Sequence, residues 1–262
     1  MREKVNLQAI AQMLFDAFEK KQALPPLTET YPSLSVADAY QIQRYLIRLH
    51  QQQHRTIIGH KIGLTSEGIQ KQLNVFEPDF GVMFSQFAFE NGVIVSKNEM
   101  ITPRIEAEIA FLLEKDLEGP GVTVPHVLAA TKAVMPAFEL IDSRIQDWKI
   151  QIADTIADNG SHWGVVFGSQ VAAPDQLDLR HVGLVLERNG KLIGTAAGAA
   201  VLGHPARAVA WLANKLSEWG EKLQAGMIIL SGSFTPAFDL IPGHYKATFG
   251  EGLSSVEVYV NG

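Results

Sequence analysis

The sequence predicts an α+β fold: a helical N-terminal lobe over residues 1–55, then a β-rich body over residues 56–262, together one domain. Three observations carry this. Helical periodicity is concentrated in the first fifty-odd residues. From residue 57 onward, short apolar or alternating runs are separated by turn residues. Strands and helices do not alternate in the way a βαβ architecture requires.

In the lobe, residues 5–22 place Ile10, Leu14, Phe15 and Phe18 at helical spacing, the mark of an amphipathic helix. "LPPLTETYPSL" is a Pro-rich connection. "SVADAYQIQRYLIRLHQQQ" is a second helix, with Ser35 as N-cap and Asp38 completing a capping box. In the body, "TIIGHKIGLT" reads as a strand followed by a short helix around 66–73, and further strands are expected near 93–95, 105–113 and 134–141. Beyond residue 162, "WGVVFG", "HVGLVLERNGKLIGTAAG", "MIILSGSF", "HYKATFG" and "SSVEVYV" read as strands. Asn189-Gly190 marks a hairpin between two of them. "HPARAVAWLANKLSEWG" is the one good helix of this half, with Pro205 in its first turn and Gly220 at its stop.

A chain of 262 residues that is 47% hydrophobic and 19% charged can bury a sizeable core. The net charge of −6 and the lack of any Lys/Arg-rich run argue against a nucleic-acid partner. The absence of cysteine excludes a disulfide framework and a thiolate metal site. "MREKVNLQAI" lacks the apolar core of a signal peptide. Apolar runs such as "AAGAAVLG" fall far short of the roughly 18–20 residues that span a bilayer. The expectation is a cytoplasmic protein with no membrane partner.

"PRIEAEIAFLL" (103–113) is the most informative stretch. In a strand, residues i and i+2 share a face, so Glu106 and Glu108 lie on one side and Ile105, Ala107, Ile109 and Phe111 on the other. An exposed sheet face would explain an isolated pair. "VMPAFELIDSR" adds a third carboxylate, Glu139, inside another apolar run, with Asp142 following. Three carboxylates on a semi-buried surface raise each other's pKa unless a cation compensates them. All-oxygen ligation suits a hard divalent ion, Mg²⁺ or Mn²⁺.

In order along the chain come "GHKIGLTS" (59–66), "EPDFG" (77–81), "PRIEAEIAF" (103–111), "PAFELIDSRIQDW" (136–148), "DTIADNGS" (154–161), "GAAVLGHP" (198–205) and "AWLANKL" (210–216). This set resembles the 2-hydroxypenta-2,4-dienoate hydratases of aromatic meta-cleavage pathways and their sister 4-oxalocrotonate decarboxylases, within the fumarylacetoacetate hydrolase superfamily. The resemblance implies a mixed, rolled β-sheet body of the fumarylacetoacetate hydrolase C-terminal type, helices outside it, and a homo-oligomer open to a complex with the sister enzyme. It implies Glu106, Glu108 and Glu139 as metal ligands, Lys61 and Asp79 as catalytic groups, and Ser161 beside Lys61 at the substrate carboxylate. The implied activity is metal-dependent addition of water to a 2-hydroxydienoate. Decarboxylation of 4-oxalocrotonate is the alternative, and a non-catalytic 2-oxo-acid binding protein is a third reading. Asp79 favours hydratase, because the decarboxylases tend to lack the acid there. Gly160 stands where the family usually has Ala, and His162-Trp163 replace smaller residues in the substrate loop.

Each residue also has a plainer explanation. Lys61 on an apolar strand resembles a snorkelling lysine, and Gly59 and Gly63, on its face, either make room for a ligand or mark a bulge. Asp79 after Pro78 is ordinary turn chemistry, and Ser161 can serve loop backbone groups. Arg104 and Arg144 are candidate carboxylate clamps, with pairing to a neighbouring acid the preferred reading. The histidines, His60 and His162 among them, are read as surface or packing residues and not as ligands. "GAAVLGHP" lacks the phosphate-loop order and is read as close packing at a strand–helix turn.

Overall fold

The computed structural model describes residues 5–66, 68, 70, 71 and 75–262. The short helix expected around 66–73 lies partly outside the described residues. α1 (Leu7–Lys20) begins where the Asn6 side chain accepts the Ala9 amide at 3.1 Å and ends at Lys21 in the left-handed region. The Pro-rich connection contains a single unforeseen turn, α2 (Leu27–Thr30), held by Thr28, whose amide and hydroxyl donate to Asp154 at 3.0 and 2.7 Å. α3 (Val36–Gln52) carries the expected Ser35–Asp38 capping box.

The body has thirteen strands among the described residues. β1 (Ile57–Gly63), β2 (Asp79–Phe84), β3 (Ala88–Glu90), β5 (Pro103–Leu113), β6 (Thr131–Asp142), β7 (His162–Phe167), β10 (Ile228–Leu230) and β11 (Phe238–Asp239) form one mixed sheet. Its order is β2-β1-β10-β5-β6-β7-β3, with β11 also on β5. β1 runs parallel to β10 and β3 to β7, and the other pairs are antiparallel. β4 (Val93–Ser96), β8 (Gly183–Arg188), β9 (Lys191–Ala197), β12 (Gly243–Phe249) and β13 (Ser254–Asn261) form a second sheet in the order β4-β13-β12-β8-β9. Asn189 and Gly190, at φ 51° and 71°, make the β8–β9 hairpin turn.

Besides α6 (Pro205–Ser217), the described residues of the body hold two unforeseen helices, α4 (Val124–Ala130) and α5 (Ile152–Ala157). At seven and six residues they are too short to display a helical period, and α5 is buried from Ala153 through Ala157. Asp79, whose local sequence suggests a turn, instead opens β2, all six residues of which are buried. Tight packing of "GAAVLGHP" is borne out: a Cβ on Gly198 would lie 1.9 Å from the Leu179 carbonyl oxygen.

The two faces of the larger sheet differ. Ile105, Ala107, Ile109 and Phe111 of β5 join Phe138 and Leu140 of β6 in the main core, all fully buried. Each large apolar side chain so buried contributes about 1.5–3 kcal/mol. The second sheet packs here through Tyr245, Val256 and Val258. At the β1–β2 edge the helical lobe covers the same side, with Tyr40 stacked on Phe80 at 5.1 Å. The opposite face carries Lys61, Asp79, Glu106, Glu108 and Glu139 beside a small apolar cluster that includes Met83, Ala110, Met135 and Leu230. No helix among the described residues is long and apolar enough to cross a membrane.

Candidate metal and active site

The β5–β6 register sets Glu106 directly opposite Glu139, with Glu108 one diagonal step away on the same face. Like charges opposed in this way are destabilising on their own. One oxygen from each of the three carboxylates falls within 4.8 Å of the others. Glu108 Oε2 accepts the Gly232 amide at 2.7 Å, and Glu139 Oε1 meets His162 Nδ1 at 2.8 Å. Glu108 Oε1 and Glu139 Oε2 are buried without a hydrogen-bond partner. Burial and the neighbouring Glu139 push the Glu106 carboxyl up to about 7 and that of Glu108 well above the ordinary range. Two unsatisfied oxygens inside a like-charged, all-oxygen cluster fit a hard divalent cation.

Lys61 Nζ donates to the Gly160 carbonyl at 3.0 Å and lies 3.5 Å from Glu139 Oε2. Burial alone would lower its pKa; Glu139, Asp79, Glu106 and Glu108 together raise it, so the ammonium stays charged. Asp79 Oδ2 accepts from Thr155 Oγ1 at 3.0 Å, while Oδ1 is buried and unpartnered. Burial raises the Asp79 carboxyl, against the pull of Lys61 and Thr155. Gly63 faces this pair: a Cβ there would stand 2.1 Å from Asp79 Oδ1 and 3.1 Å from Lys61 Nζ. Gly59 instead sits at the β1 irregularity, pressed against the backbone of Ile228.

Asn159, Gly160 and Ser161 follow one another in the left-handed region, at φ 56°, 61° and 56°. The Asn159 side chain pins this turn to β2, accepting the Val82 amide at 2.8 Å and donating to the Val82 carbonyl at 2.9 Å. Ser161 Oγ donates to Asp158 Oδ2 at 3.2 Å. Arg144 pairs with Asp158 through Nε at 2.6 Å, the acid-pairing reading weighed for it. Arg104 lies over the Trp148 ring at 4.4 Å, with Asp239 3.3 Å from its Nε. Asp142 serves the amides of Ile101 and Thr102. A cleft of about 430 Å³ opens on Lys61, Asp79, Glu106 and Ser161, walled by Trp148 and Ile150.

All six residues singled out from the sequence therefore lie in one neighbourhood. Sequence reasoning missed Thr155, the Gly160 carbonyl and the Gly232 amide; backbone groups carry no sequence signal. His162, expected to be a surface or packing residue, instead contacts Glu139 directly through its imidazole, and burial lowers its pKa.

The family model for the fumarylacetoacetate (FAA) hydrolase C-terminal region matches residues 59–260. A 2-hydroxyhexa-2,4-dienoate hydratase of Comamonas testosteroni is 44% identical over 260 residues, covering 98% of both chains. A 4-oxalocrotonate decarboxylase of Pseudomonas sp. (strain CF600) is 40% identical over 248 residues, covering 95% of this chain and 94% of that one. The 4-oxalocrotonate decarboxylase from Pseudomonas putida G7, solved in complex with magnesium and adipate, is 34% identical and superposes with a TM-score of 0.95 over 99% of this chain and 100% of that chain. Sequence, fold and carboxylate cluster converge: the chain belongs to the fumarylacetoacetate hydrolase family.

Proposed function

We propose that the protein is a divalent-metal-dependent hydratase that converts 2-hydroxypenta-2,4-dienoate, or a close dienoate, to the 4-hydroxy-2-oxo acid in aromatic meta-cleavage catabolism. The observation that carries this reading is Asp79: a buried carboxylate with one unpartnered oxygen, in the same cleft as a charged lysine and Glu106 of the carboxylate cluster. Hydratase relatives at 44% identity support it.

Glu106, Glu108 and Glu139 would hold Mg²⁺ or Mn²⁺, which when bound supplies charge stabilisation for the paired oxygens of a 2-oxo acid. Water does not add to an electron-rich dienol, so the substrate first ketonises: the 2-hydroxyl loses its proton and C5 gains one. Water oxygen then bonds to C4 of the resulting enone, and a proton goes to C3. Asp79, oriented by Thr155, is the group assigned to hold and return these protons at Oδ1. Its raised pKa brings it nearer the range where both protonation states are available. Lys61, kept charged by its carboxylate neighbours and aimed by the Gly160 carbonyl, offsets negative charge developing on the substrate. Ser161 is assigned to the substrate carboxylate at the cleft wall.

The fold match to a decarboxylase favours a second reading, release of carbon dioxide from 4-oxalocrotonate. One assay separates the readings. The Mg²⁺-loaded protein is given freshly generated 2-hydroxypentadienoate and, separately, 2-oxo-3-hexenedioate. Loss of dienol absorbance without gas is expected; carbon dioxide release would establish the decarboxylase, and binding without turnover a 2-oxo-acid binding protein. The same proposal holds residues 1–262 to be one catalytic unit, cytoplasmic, assembled as a homo-oligomer and able to join a sister decarboxylase or hydratase. Gln43 of α3 supports the single unit: its amide donates to the carbonyls of Phe80 at 2.7 Å and Ile156 at 3.1 Å, tying the lobe to β2 and α5.

A further inference from the structure

Glu139 differs from its two partners in having one oxygen engaged by another side chain's ring. His162 Nδ1 lies 2.8 Å from Oε1, and both side chains are almost wholly buried. With Nδ1 as the protonated nitrogen, the imidazole donates this contact to a carboxylate oxygen that accepts it.

The backbone is arranged to bring the imidazole there. Glu139 pairs with Val165 and Ile141 with His162, so two residues on β6 span three on β7. This bulge turns His162 and Val165 to the same face as Glu139; in a regular ladder a three-residue step would turn His162 away. The His162 carbonyl accepts from Arg144 Nη1 at 3.1 Å, and Arg144 is itself locked onto Asp158. Ser161, in the left-handed region immediately before it, fixes where the strand begins.

With Oε1 held, Oε2 is the Glu139 oxygen left for other partners, and it is the one that lies 3.5 Å from Lys61 and lacks a hydrogen bond. A carboxylate free to turn can offer both oxygens to one cation. Calcium accepts such bidentate ligation readily, whereas magnesium requires near-ideal octahedral geometry with single-oxygen ligands.

We propose that His162 is a positioning residue that clamps Glu139, so that a single oxygen faces the divalent-cation site and a small six-coordinate ion is favoured over calcium. This rests on the metal-site reading above. It adds a residue acting through Glu139, and an ion preference that the carboxylates alone do not set.

The test measures metal binding directly, by calorimetry with Mg²⁺ and Ca²⁺ and by electron paramagnetic resonance with Mn²⁺, on the full chain without substrate. His162→Ala should weaken Mg²⁺ and Mn²⁺ binding by about 10–100-fold, the usual effect of losing such an outer partner, and Ca²⁺ binding by less. Two amides separate positioning from bulk should the alanine variant fail to fold. His162→Asn keeps a donor near the Nδ1 position and should restore the wild-type affinity and Mg²⁺/Ca²⁺ ratio. His162→Gln fills the space but carries its donor farther out, and should behave like the alanine variant. Equal affinities and ratios for wild type, Asn and Gln would overturn the role of His162 while leaving the metal site standing. Failure of the wild-type protein to bind any of the three ions would instead overturn the site, and this inference with it.

Discussion

Asp79 and Lys61 meet across Gly63, whose missing side chain leaves room beside Asp79 Oδ1, an oxygen without a hydrogen-bond partner, while Thr155 holds Oδ2. Replacing Asp79 with Asn preserves size and polarity but removes the proton acceptor. Hydration should fall by roughly 10²–10⁴-fold, with Mg²⁺ affinity nearly unchanged because the residue lies outside the carboxylate trio. Wild-type turnover by Asp79→Asn would reduce the residue to a strand-opening acid. The trio itself makes stability depend on pH. Burial and Glu139 raise the Glu106 carboxyl from an ordinary 4.5 to about 7 in the metal-free protein. Between those values the folded protein keeps a proton that the unfolded chain has lost, so metal-free stability declines as pH rises through this window. A divalent ion binds the deprotonated cluster and reverses the trend. The Mg²⁺-induced gain in melting temperature should therefore grow from about pH 6 to about pH 8. Equal gains at both would contradict a shared carboxylate site.

At the scale of elements, β5 and β6 do the assembling: one antiparallel register brings Glu106, Glu108 and Glu139 together while its other face fills the main core. A one-residue slip of β6 would put Glu139 in the apolar core and Phe138 in the cleft, so core packing and site geometry enforce the same register. α3 contributes through Gln43, whose amide satisfies two buried carbonyls on elements that carry Asp79 and Thr155. Gln43→Leu keeps the volume and removes both donors. It should cost about 1–3 kcal/mol, the desolvation penalty of groups left unpaired, read as a lower denaturant midpoint. Unchanged stability would mean that the lobe is held by apolar packing alone.

Across the whole molecule, the second sheet packs one face on the core and leaves the other open. That open face exposes Ile94, Val185, Leu192 and Tyr259 on four different strands, with Ile94 at 68% and Leu192 at 62%. Scattered single apolar residues are ordinary on a surface, but Ile94 and Tyr259 are register partners on adjacent strands. In the proposed homo-oligomer this face is a candidate for self-complementary burial. Light scattering should give a multiple of the 28.7 kDa chain mass, and Ile94→Lys should shift the distribution toward smaller species. A wild-type monomer at micromolar concentration would count decisively against assembly.

The chain alone specified the two long N-terminal helices, the Asn189-Gly190 hairpin, α6, and the same-face pair Glu106 and Glu108, because each rests on local chemistry: caps, turn residues and side-chain periods of 3.6 or 2. Motif resemblance extended that to the family and to Lys61, Asp79, Glu139 and Ser161. Short helices escaped it, since six or seven residues cannot display a period, and β2 was hidden because its opening Pro-Asp looks like a turn. Only folding could bring Glu139 opposite Glu106, set Asp79 against Thr155 from a segment 76 residues away, and use a bulge to aim His162 at Glu139. Those placements depend on strand register and on backbone groups contributed by distant segments. Pairing across a sheet is a property of two segments at once, and neither segment encodes it alone.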